Sequence, residues 1–327
     1  MEASIWSWEP CSKKTYILPI SESSASIPVT IINGANPGPS VLISGGIHNA
    51  EFVGIQAAIE LSNEFAPEEL NGSLAIIHLM NPSGFSHRTN SLVWEDGKNL
   101  NRVFPGSQDG TVADRIAYLI TNMFIKKADA YIDLHCGDCF EELTPYVYCQ
   151  GATDASTAKI SREMAELTDV PYLVPSKVSS GGAYNYAGSI GVPGILIERG
   201  CLGLWTREEV EADKKDVRNI LRYLGVLNDE METQIHHPKE LENIIYADSS
   251  FTGCWYPSKK AGQHINKGEI LGEIRDYFGK TLYTYTAKMD GVLLYQAKSL
   301  NIIKNDIMVA YGSIHGHQRS KLLAYSF

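Results

Sequence analysis

The stretch that decides the fold is Val41-Leu42-Ile43-Ser44-Gly45-Gly46-Ile47-His48-Asn49-Ala50-Glu51-Phe52-Val53-Gly54. A short apolar run ends at two glycines, and a histidine and a glutamate follow just before a helical pattern begins. Continuous apolar runs are typical of buried strands, and a glycine pair allows a tight turn at the carboxyl end of the strand. In open α/β sheets that end is where ligands bind. His48 and Glu51, three residues apart at a helix start, are therefore candidate ligands of one metal ion.

Composition excludes several classes of protein. The 327 residues are enough to bury a large core, and we expect one large domain and a smaller one. The net charge of -10 argues against a nucleic-acid partner, because no basic cluster would neutralise phosphates. We expect no signal peptide and no membrane partner, since the N-terminus lacks a basic and apolar leader and no apolar run approaches the ~20 residues of a membrane span. Six cysteines without a small-domain spacing favour a reducing, cytoplasmic location. The sequence leaves the oligomeric state open and is compatible with a homo-oligomer.

Strands and helices alternate over residues 1–228. This alternation predicts an α/β domain whose mixed, mostly parallel sheet carries helices on both faces. Residues 229–242 are polar and charged and read as a linker, and residues 243–327 show short strands between Gly-, Pro- and Asn-rich turns, which indicates a small all-β, barrel-like domain. The predicted strands are Thr15 to Leu18, Val29 to Ile32, Val41 to Ser44, Leu74 to Met80, Ala130 to Leu134, Pro145 to Cys149 and Gly194 to Ile197, and the predicted helices are Glu51 to Phe65, Ala113 to Phe124, Ser156 to Leu167 and Arg207 to Leu224.

Four polar residues follow the ends of these strands. His48 and Glu51, then His135, then Glu198 each come at the carboxyl end of a predicted strand, which is one rim of one sheet. A catalytic zinc site needs three protein ligands and an open fourth position, and His48, Glu51 and His135 supply a ligand set found at hydrolytic zinc sites. We therefore expect one zinc ion per chain. A further carboxylate must move a proton between water and the leaving amine, and Glu198 is placed for that role. Its alternative interpretation is an N-cap acid or the ion-pair partner of Arg199.

A long Gly-, Ser- and Asn-rich segment runs from Asn81-Pro82 to Gly110. Structureless loops of this length are uncommon in compact domains and are usually functional. The loop carries Asn101 and Arg102 side by side, with Arg88 upstream. An arginine binds a carboxylate through a planar, bidentate fork. The loop therefore predicts a site for the carboxylate of a substrate.

These motifs together resemble the succinylglutamate desuccinylase/aspartoacylase branch of the zinc carboxypeptidase superfamily. The matching pieces are Gly45-Gly46-Ile47-His48-Asn49-Ala50-Glu51, Asn81-Pro82, Arg88-Thr89, Asp96-Gly97-Lys98-Asn99-Leu100-Asn101-Arg102-Val103-Phe104-Pro105-Gly106, Asp133-Leu134-His135 and Ile197-Glu198-Arg199-Gly200. The resemblance implies zinc at His48, Glu51 and His135 and a catalytic glutamate at Glu198. It further implies that Asn101 and Arg102 hold the substrate carboxylate and that Arg88 polarises the scissile carbonyl and stabilises the oxyanion.

Two other motifs receive a structural interpretation. Ala287-Lys288-Met289-Asp290-Gly291-Val292 and the segments before it resemble a lipoyl/biotinyl-like barrel, and we read the lysine as part of the fold and not as a biotin carrier. We expect this domain to pack over the cleft and to narrow substrate choice. Cys136-Gly137-Asp138-Cys139 could be a redox or regulatory pair, but no strong helical run follows it, so we interpret these cysteines as structural or incidental.

The predicted function is that of a zinc-dependent amide hydrolase which removes an acyl group from a small, carboxylate-bearing N-acyl amino acid or a related compound. The first alternative is a metallocarboxypeptidase that acts on short or cell-wall peptides with the same metal site. The second is a non-catalytic binding or scaffold protein on the same fold. The acyl group and the amino acid are not specified by the sequence.

Overall fold

The computed structural model describes residue 6 and residues 9–315 of the chain. Within these residues there are six α-helices: α1 (Phe52–Glu64), α2 (Pro82–His87), α3 (Val112–Met123), α4 (Ala155–Glu166), α5 (Ala183–Ser189) and α6 (Arg207–Tyr223). The strands of the first 230 residues are β1 (Ser12–Pro19), β2 (Ser26–Asn33), β3 (Asn36–Gly45), β4 (Asn71–Ile77), β5 (Ala130–His135), β6 (Glu141–Leu143), β7 (Tyr146–Gln150), β8 (Tyr172–Ser176) and β9 (Gly194–Glu198). The later strands are β10 (Lys239–Asp248), β11 (Gly253–Pro257), β12 (His264–Ile265), β13 (Ile270–Arg275), β14 (Thr281–Thr286), β15 (Gly291–Ala297), β16 (Asn301–Ile302) and β17 (Ile307–Ile314).

One large mixed sheet organises the molecule. Its strand order is β1-β2-β4-β3-β5-β9-β7-β8-β10-β17-β15-β12, and β6 pairs with β15. Strands β4, β3, β5 and β9 run parallel to one another, so their carboxyl ends meet at one edge. Strand β7 runs antiparallel to β9, and β8 runs parallel to β7. The α/β prediction with a mixed sheet is confirmed.

The sheet buries both of its faces under helices. Leu42 of β3 packs in a core cluster with residues of α3 and α5, among them Ile116 and Ala187. Val41 and Ile43, its neighbours in the same strand, pack in a second cluster with residues of α1, α4 and α6. Successive side chains of a strand point to opposite faces, so continuous apolar runs are required where both faces are covered.

The loop between residues 81 and 110 is more ordered than the sequence led us to expect. It contains α2 and a short 3₁₀ turn, Leu100–Arg102. Helix α2 forms because Pro82 suits its first position and the side chain of Asn81 accepts a hydrogen bond from the backbone N–H of Gly84 at 3.0 Å. Strand β8 and helix α5 also lie in segments for which the sequence had predicted no element. Both are short, and neither has enough residues to show a clear hydrophobic period.

The large sheet continues into the C-terminal all-β region. Strand β10 begins inside the stretch that we expected to be a linker, pairs with β8 and then pairs with β17. A second sheet of four strands, in the order β14-β13-β11-β16, completes the region. Residues 316–327 of the predicted C-terminal domain lie outside the described residues. The barrel-like shape and the domain boundaries stay predictions.

A small apolar cluster, here called the joint cluster, ties the two regions together. Its buried members are Leu143, Tyr146, Val174, Leu241 and Leu294, which come from both regions. Burying such side chains stabilises the joint by roughly 1.5–3 kcal/mol each. In the part of the chain that the structure describes, no helix has the length and apolar character needed to cross a bilayer.

Candidate active site

Two glycines, Gly46 and Gly54, allow the backbone geometry that positions the first two candidate ligands. Gly46, just after β3, has φ +69°, a conformation that glycine adopts without strain. Gly54, in the first turn of α1, lies so close to β5 that a Cβ there would be 2.6 Å from the carbonyl oxygen of Leu134. The turn and the close approach bring His48 and Glu51 to the same sheet edge as His135, the last residue of β5.

The three candidate metal ligands converge on one point. Nδ1 of His48 lies 2.7 Å from Oε1 of Glu51, and Nδ1 of His135 lies 2.9 Å from Oε2 of the same carboxylate. One ligand atom from each of these residues falls within 4.8 Å of the others. Glu51 and His135 are buried, and His48 is nearly so.

Electrostatics couple the three residues. Burial opposes ionisation of Glu51, but the facing His135 and His48 outweigh it and lower the pKa of Glu51 to about 2. Burial likewise disfavours a charged His135, but Glu51 and Asp133 outweigh it and raise the pKa of His135 well above its ordinary value. Glu51 and His135 therefore stabilise each other's charged forms.

Neighbouring groups orient both imidazoles. Oδ1 of Asn99 lies 3.0 Å from Nε2 of His48. Oδ2 of the fully buried Asp133 lies 3.3 Å from Nε2 of His135, and Oδ1 of Asp133 accepts a hydrogen bond from Ser44 at 2.6 Å. Metal-ligating histidines usually present their second ring nitrogen to a carboxylate or carbonyl in this way. Each histidine thus keeps Nδ1 for the shared centre.

The donor set fits a divalent cation of the zinc type. Two imidazole nitrogens and one carboxylate are the ligands of many catalytic zinc sites. Both imidazoles have an oriented second nitrogen, and the three donors already face one another. His48, Glu51 and His135 would hold the ion.

Glu198 stands beside this centre. It is the last residue of β9, and in the parallel ladder it is the register partner of His135. Burial raises the pKa of Glu198 well above its ordinary value, and Glu51 and Glu141 raise it further against the opposing effect of His135. Such a carboxyl group can hold a proton beside the candidate metal centre. Arg199 does not pair with Glu198; it points away to Asp213 and Asp216.

The predicted carboxylate-binding residues lie on the same cavity, with one exception. Asn101 and Arg102 both line it, together with the three candidate ligands. Asn101 is buried, and its side-chain oxygen accepts a hydrogen bond from the backbone N–H of Ala183 at 2.9 Å. Arg88 ends α2 in a left-handed conformation, is exposed and is not among the lining residues, whereas Asn90, two residues later, is.

The cavity measures about 670 Å³, and both regions of the chain line it. Four tyrosines on its wall form a closed circuit of contacts. The rings of Tyr146 and Tyr148 meet edge to face at 5.1 Å, and the hydroxyls of Tyr148 and Tyr246 lie 3.0 Å apart. The ring centroids of Tyr246 and Tyr295 lie 6.3 Å apart, and the ring of Tyr295 stacks on that of Tyr146 with the centroids 6.4 Å apart. We call these four residues the tyrosine circuit.

Several of these residues escaped sequence reasoning. Asn99 stood in the quoted loop motif without a role, and the alternation Tyr146-x-Tyr148 was a visible sign of one polar aromatic face. Tyr246, Tyr295 and Glu141 gave no local signal, because their position depends on pairing between distant strands. They complete the cavity wall.

The surroundings of the C-x-x-C pair, Cys136 and Cys139, do not favour a reactive thiol. Cys136 is buried, and its backbone N–H donates to Oε2 of Glu51 at 3.2 Å. Burial raises the pKa of both the Cys136 and the Cys139 thiols, which is the opposite of what a reactive cysteine needs. The six cysteines of the chain are free thiols.

Known proteins resemble this chain over most of its length. The sequence model of the succinylglutamate desuccinylase/aspartoacylase catalytic domain matches residues 37–224. The N-alpha-acetyl-L-2,4-diaminobutyric acid deacetylase of Halomonas elongata is 29% identical over 293 residues, 84% of each chain. The product-bound ectoine utilization protein EutE (DoeB) from Ruegeria pomeroyi shares the fold with a TM-score of 0.84 and 25% identity, over 93% of this chain and 97% of that one. A succinylglutamate desuccinylase from Silicibacter sp. TM1040 gives a TM-score of 0.83 and 25% identity, over 93% and 95%.

Proposed function

The chain belongs to the succinylglutamate desuccinylase/aspartoacylase family, and from this premise we propose that it is a zinc-dependent hydrolase that removes the acyl group of a small N-acyl amino acid. The observation that carries the proposal is the convergence of His48, Glu51 and His135 within 4.8 Å, with Glu198 as the register partner of His135. The similarity to a deacetylase of an N-acetylated amino acid supports an amide as the bond that is cleaved.

The roles follow from the chemistry of each group. Bound zinc would supply a Lewis acid that polarises the amide carbonyl and makes water more acidic. Glu198 takes the proton of the attacking water and delivers it to the leaving amine. The raised pKa of Glu198 supports this role, because a carboxylate with a raised pKa is a stronger base toward the attacking water.

Substrate binding uses the loop residues. Arg102 receives the free carboxylate through its guanidinium fork, and the buried Asn101 provides a fixed polar contact beside it. Arg88 is assigned to the scissile carbonyl by the family motif alone. Its exposed position on α2 requires the side chain to turn toward Asn90 and the cavity when substrate binds.

The proposal includes one zinc ion per chain and a small, carboxylate-bearing N-acyl compound as the partner. We place the reaction in the cytoplasm, as the cysteine usage of the sequence indicates.

A substrate screen tests the reaction. Zinc-loaded full-length protein is assayed against N-acetyl amino acids, N-succinyl amino acids and dipeptides, and the metal-free protein serves as control. We expect hydrolysis of an N-acyl amino acid that depends on zinc. Release of amino acids from dipeptides without any action on N-acyl amino acids would instead identify a carboxypeptidase.

The variant Glu198→Gln tests the mechanism. It keeps the shape of the side chain and removes its ability to carry a proton, so we expect kcat to fall by about 10²–10⁴-fold. Zinc content, measured by atomic absorption, stays at the wild-type level because Glu198 is not a ligand. Full turnover in a zinc-loaded Glu198→Gln protein would refute the mechanism.

A further inference from the structure

We propose that the cavity selects N-acyl amino acids whose side chain carries a positive charge, with Glu141 as the counter-charge and the tyrosine circuit as the surrounding wall. This inference rests on the proposed function, since it names the substrate class of the same site. It assigns specificity to residues outside the metal centre and outside the Asn101–Arg102 pair.

The charges that line the cavity are strongly unbalanced. Besides Glu51 and Glu198, its carboxylates are Asp138, Glu141 and Asp306. Among the described residues that line the cavity, Arg102 is the sole lysine or arginine. Once Arg102 pairs with the carboxylate of the substrate, the wall retains only negative side chains outside the metal centre. A second anionic group on the substrate is then repelled, and a cationic one is attracted.

Glu141 is the carboxylate that lacks a partner. The oxygens of Asp138 accept hydrogen bonds from Asn90 at 2.6 Å and from the backbone N–H of Phe140 at 2.8 Å. Oδ2 of Asp306 accepts one from the backbone N–H of Ile303 at 3.1 Å. Residues 9–315 offer the Glu141 carboxylate neither a hydrogen bond nor an ion pair. A carboxylate that faces the cavity without a partner leaves its charge uncompensated there, so a ligand cation that pairs with it is favoured.

The position of Glu141 places it against the tyrosine circuit. Glu141 lies on β6, opposite Ala297 of β15, and Tyr295 precedes Ala297 by two residues on the same strand. The charge of Glu141 is the strongest influence, after burial, that raises the pKa of Tyr295, and it also acts on Tyr146. Glu141, Tyr146 and Tyr295 all line the cavity, so the carboxylate and these two rings face one volume.

This combination suits an ammonium group. Tyrosine rings attract cations through their electron-rich faces, and their hydroxyl oxygens accept hydrogen bonds. A carboxylate adds a charge-assisted hydrogen bond to the same N–H donors. A bound substrate with an aliphatic or anionic side chain would remove water from the Glu141 carboxylate without pairing with it, so the wall discriminates against both.

The experiment compares three substrates that differ at one end. Nα-acetyl-2,4-diaminobutyrate carries an ammonium, Nα-acetyl-2-aminobutyrate lacks it, and N-acetylaspartate carries a carboxylate at the same distance. With the zinc-loaded full chain we expect kcat/KM for the ammonium substrate to exceed that for the neutral one by about 30-fold or more. The anionic substrate should be the poorest of the three.

Glu141→Gln removes the charge and keeps the shape. The ammonium substrate should lose about 30-fold more kcat/KM than the neutral substrate does, which a general loss of activity would not produce. Glu142→Gln is the matched control, because Glu142 is the next residue in the chain but does not line the cavity. Its carboxylate already has partners: it accepts hydrogen bonds from the side chain of Gln296 and the backbone N–H of Ala261, and it forms an ion pair with Lys298. Glu142→Gln should retain the full discrimination.

Direct binding separates this inference from the proposed function. Calorimetry compares 2,4-diaminobutyrate with 2-aminobutyrate, and we expect tighter binding of the diamine in wild type and loss of that preference in Glu141→Gln. If no N-acyl amino acid of the substrate screen is hydrolysed, the proposed function fails, and the binding preference still decides the inference. Equal or better use of the neutral or anionic substrate by the wild type, or equal binding of the two products, would overturn it.

Discussion

Asn99 shows how a single side chain can join two parts of the site. Its oxygen lies 3.0 Å from Nε2 of His48 and accepts a hydrogen bond from the backbone N–H of Asn101 at 2.8 Å. The same amide therefore orients a candidate metal ligand and begins the short helical turn that carries Asn101 and Arg102. The candidate metal centre and the proposed carboxylate-binding residues are therefore held in a fixed relation.

The variant Asn99→Ala should weaken zinc binding. Loss of the group that orients a ligating histidine typically costs about 10–100-fold in metal affinity. Competition with a chromophoric chelator measures the zinc dissociation constant. Asn63→Ala is the control, because Asn63 is exposed on α1 and its amide donates only within that helix. Equal zinc affinity in wild type and Asn99→Ala would show that Asn99 does not orient His48.

Arg102→Lys should impair substrate binding more than chemistry. A lysine keeps the positive charge but cannot present two parallel N–H donors to a carboxylate. We expect KM to rise roughly 10-fold or more with a small change in kcat, as measured by steady-state kinetics. A fall in kcat at constant KM would instead place Arg102 at the reacting carbonyl.

Arg88→Ala tests the one family-derived role for which the cavity gives no direct support. Loss of an oxyanion-stabilising donor should lower kcat by about 10²–10³-fold and leave KM near the wild-type value. Unchanged kcat and KM would remove Arg88 from the mechanism and leave it as an exposed end of α2.

At the scale of elements, a charged network joins α1 to α6. The ammonium of Lys214 is almost fully buried and lies 3.0 Å from both Glu60 and Glu211, and it also pairs with Glu64. Arg207 contacts Glu60 at 2.7 Å. Because α1 begins directly after Glu51, this network fixes the helix that follows two of the candidate metal ligands against α6.

Glu60→Gln should destabilise the fold in a pH-dependent manner. Burial opposes ionisation of Glu60, but Arg207, Gln56 and Lys214 outweigh it and lower its pKa from 4.5 to about 2. A depressed folded-state pKa gives stability that is fully present above pH 4.5 and is lost as the pH falls through 2.

Urea unfolding measures this effect. Near neutral pH we expect Glu60→Gln to lose about 1 kcal/mol, and the difference from wild type should shrink as the solution becomes more acidic than pH 4.5. Glu68→Gln, at an exposed carboxylate of the turn after α1, is the control and should change little. A difference that stays constant with pH would argue against a role for the Glu60 charge.

At the scale of the whole molecule, the large sheet runs through both regions. Strand β10 continues the sheet from β8, strand β15 pairs with β6, and the joint cluster fills the space between them. Strand β15 also carries Tyr295 and Ala297 of the cavity wall. Packing at the joint therefore bears directly on substrate binding.

Leu294→Ala should reduce stability and activity together. Truncating a fully buried leucine costs about 2–5 kcal/mol, and movement of β15 would displace the neighbouring Tyr295, so we expect kcat/KM to fall roughly 10-fold or more. Leu271→Ala makes the same change in the core of the C-terminal region, away from the joint cluster. Leu271→Ala should be destabilised to a similar extent, which thermal unfolding measures. Its kcat/KM, measured below the unfolding transition, should stay near the wild-type value. Equal losses of activity in both variants would contradict a special role for the joint.

Much of the fold could be predicted from local sequence, whereas the cavity wall could not. Val41 to Ser44 and Ala130 to Leu134 form strands because their apolar runs are buried on both faces, and the polar residues after them necessarily meet at one edge. Nothing near Tyr246 or Tyr295 indicates that β10 joins β8, since that pairing depends on strands some distance apart in the chain. Glu141 escaped prediction for the same reason.

The shared sheet also fixes how the two regions that line the cavity are placed relative to each other. Any hinge between the two regions would have to break the β8–β10 and β6–β15 ladders and open the joint cluster at once. The two regions therefore keep a fixed relative position, and the cavity can widen only through side chains and the loops that line it. The kcat/KM for N-acyl amino acids should consequently decline steadily as the acyl chain is lengthened. A site that closed around its substrate by a movement of the two regions would not impose such a gradual limit on size.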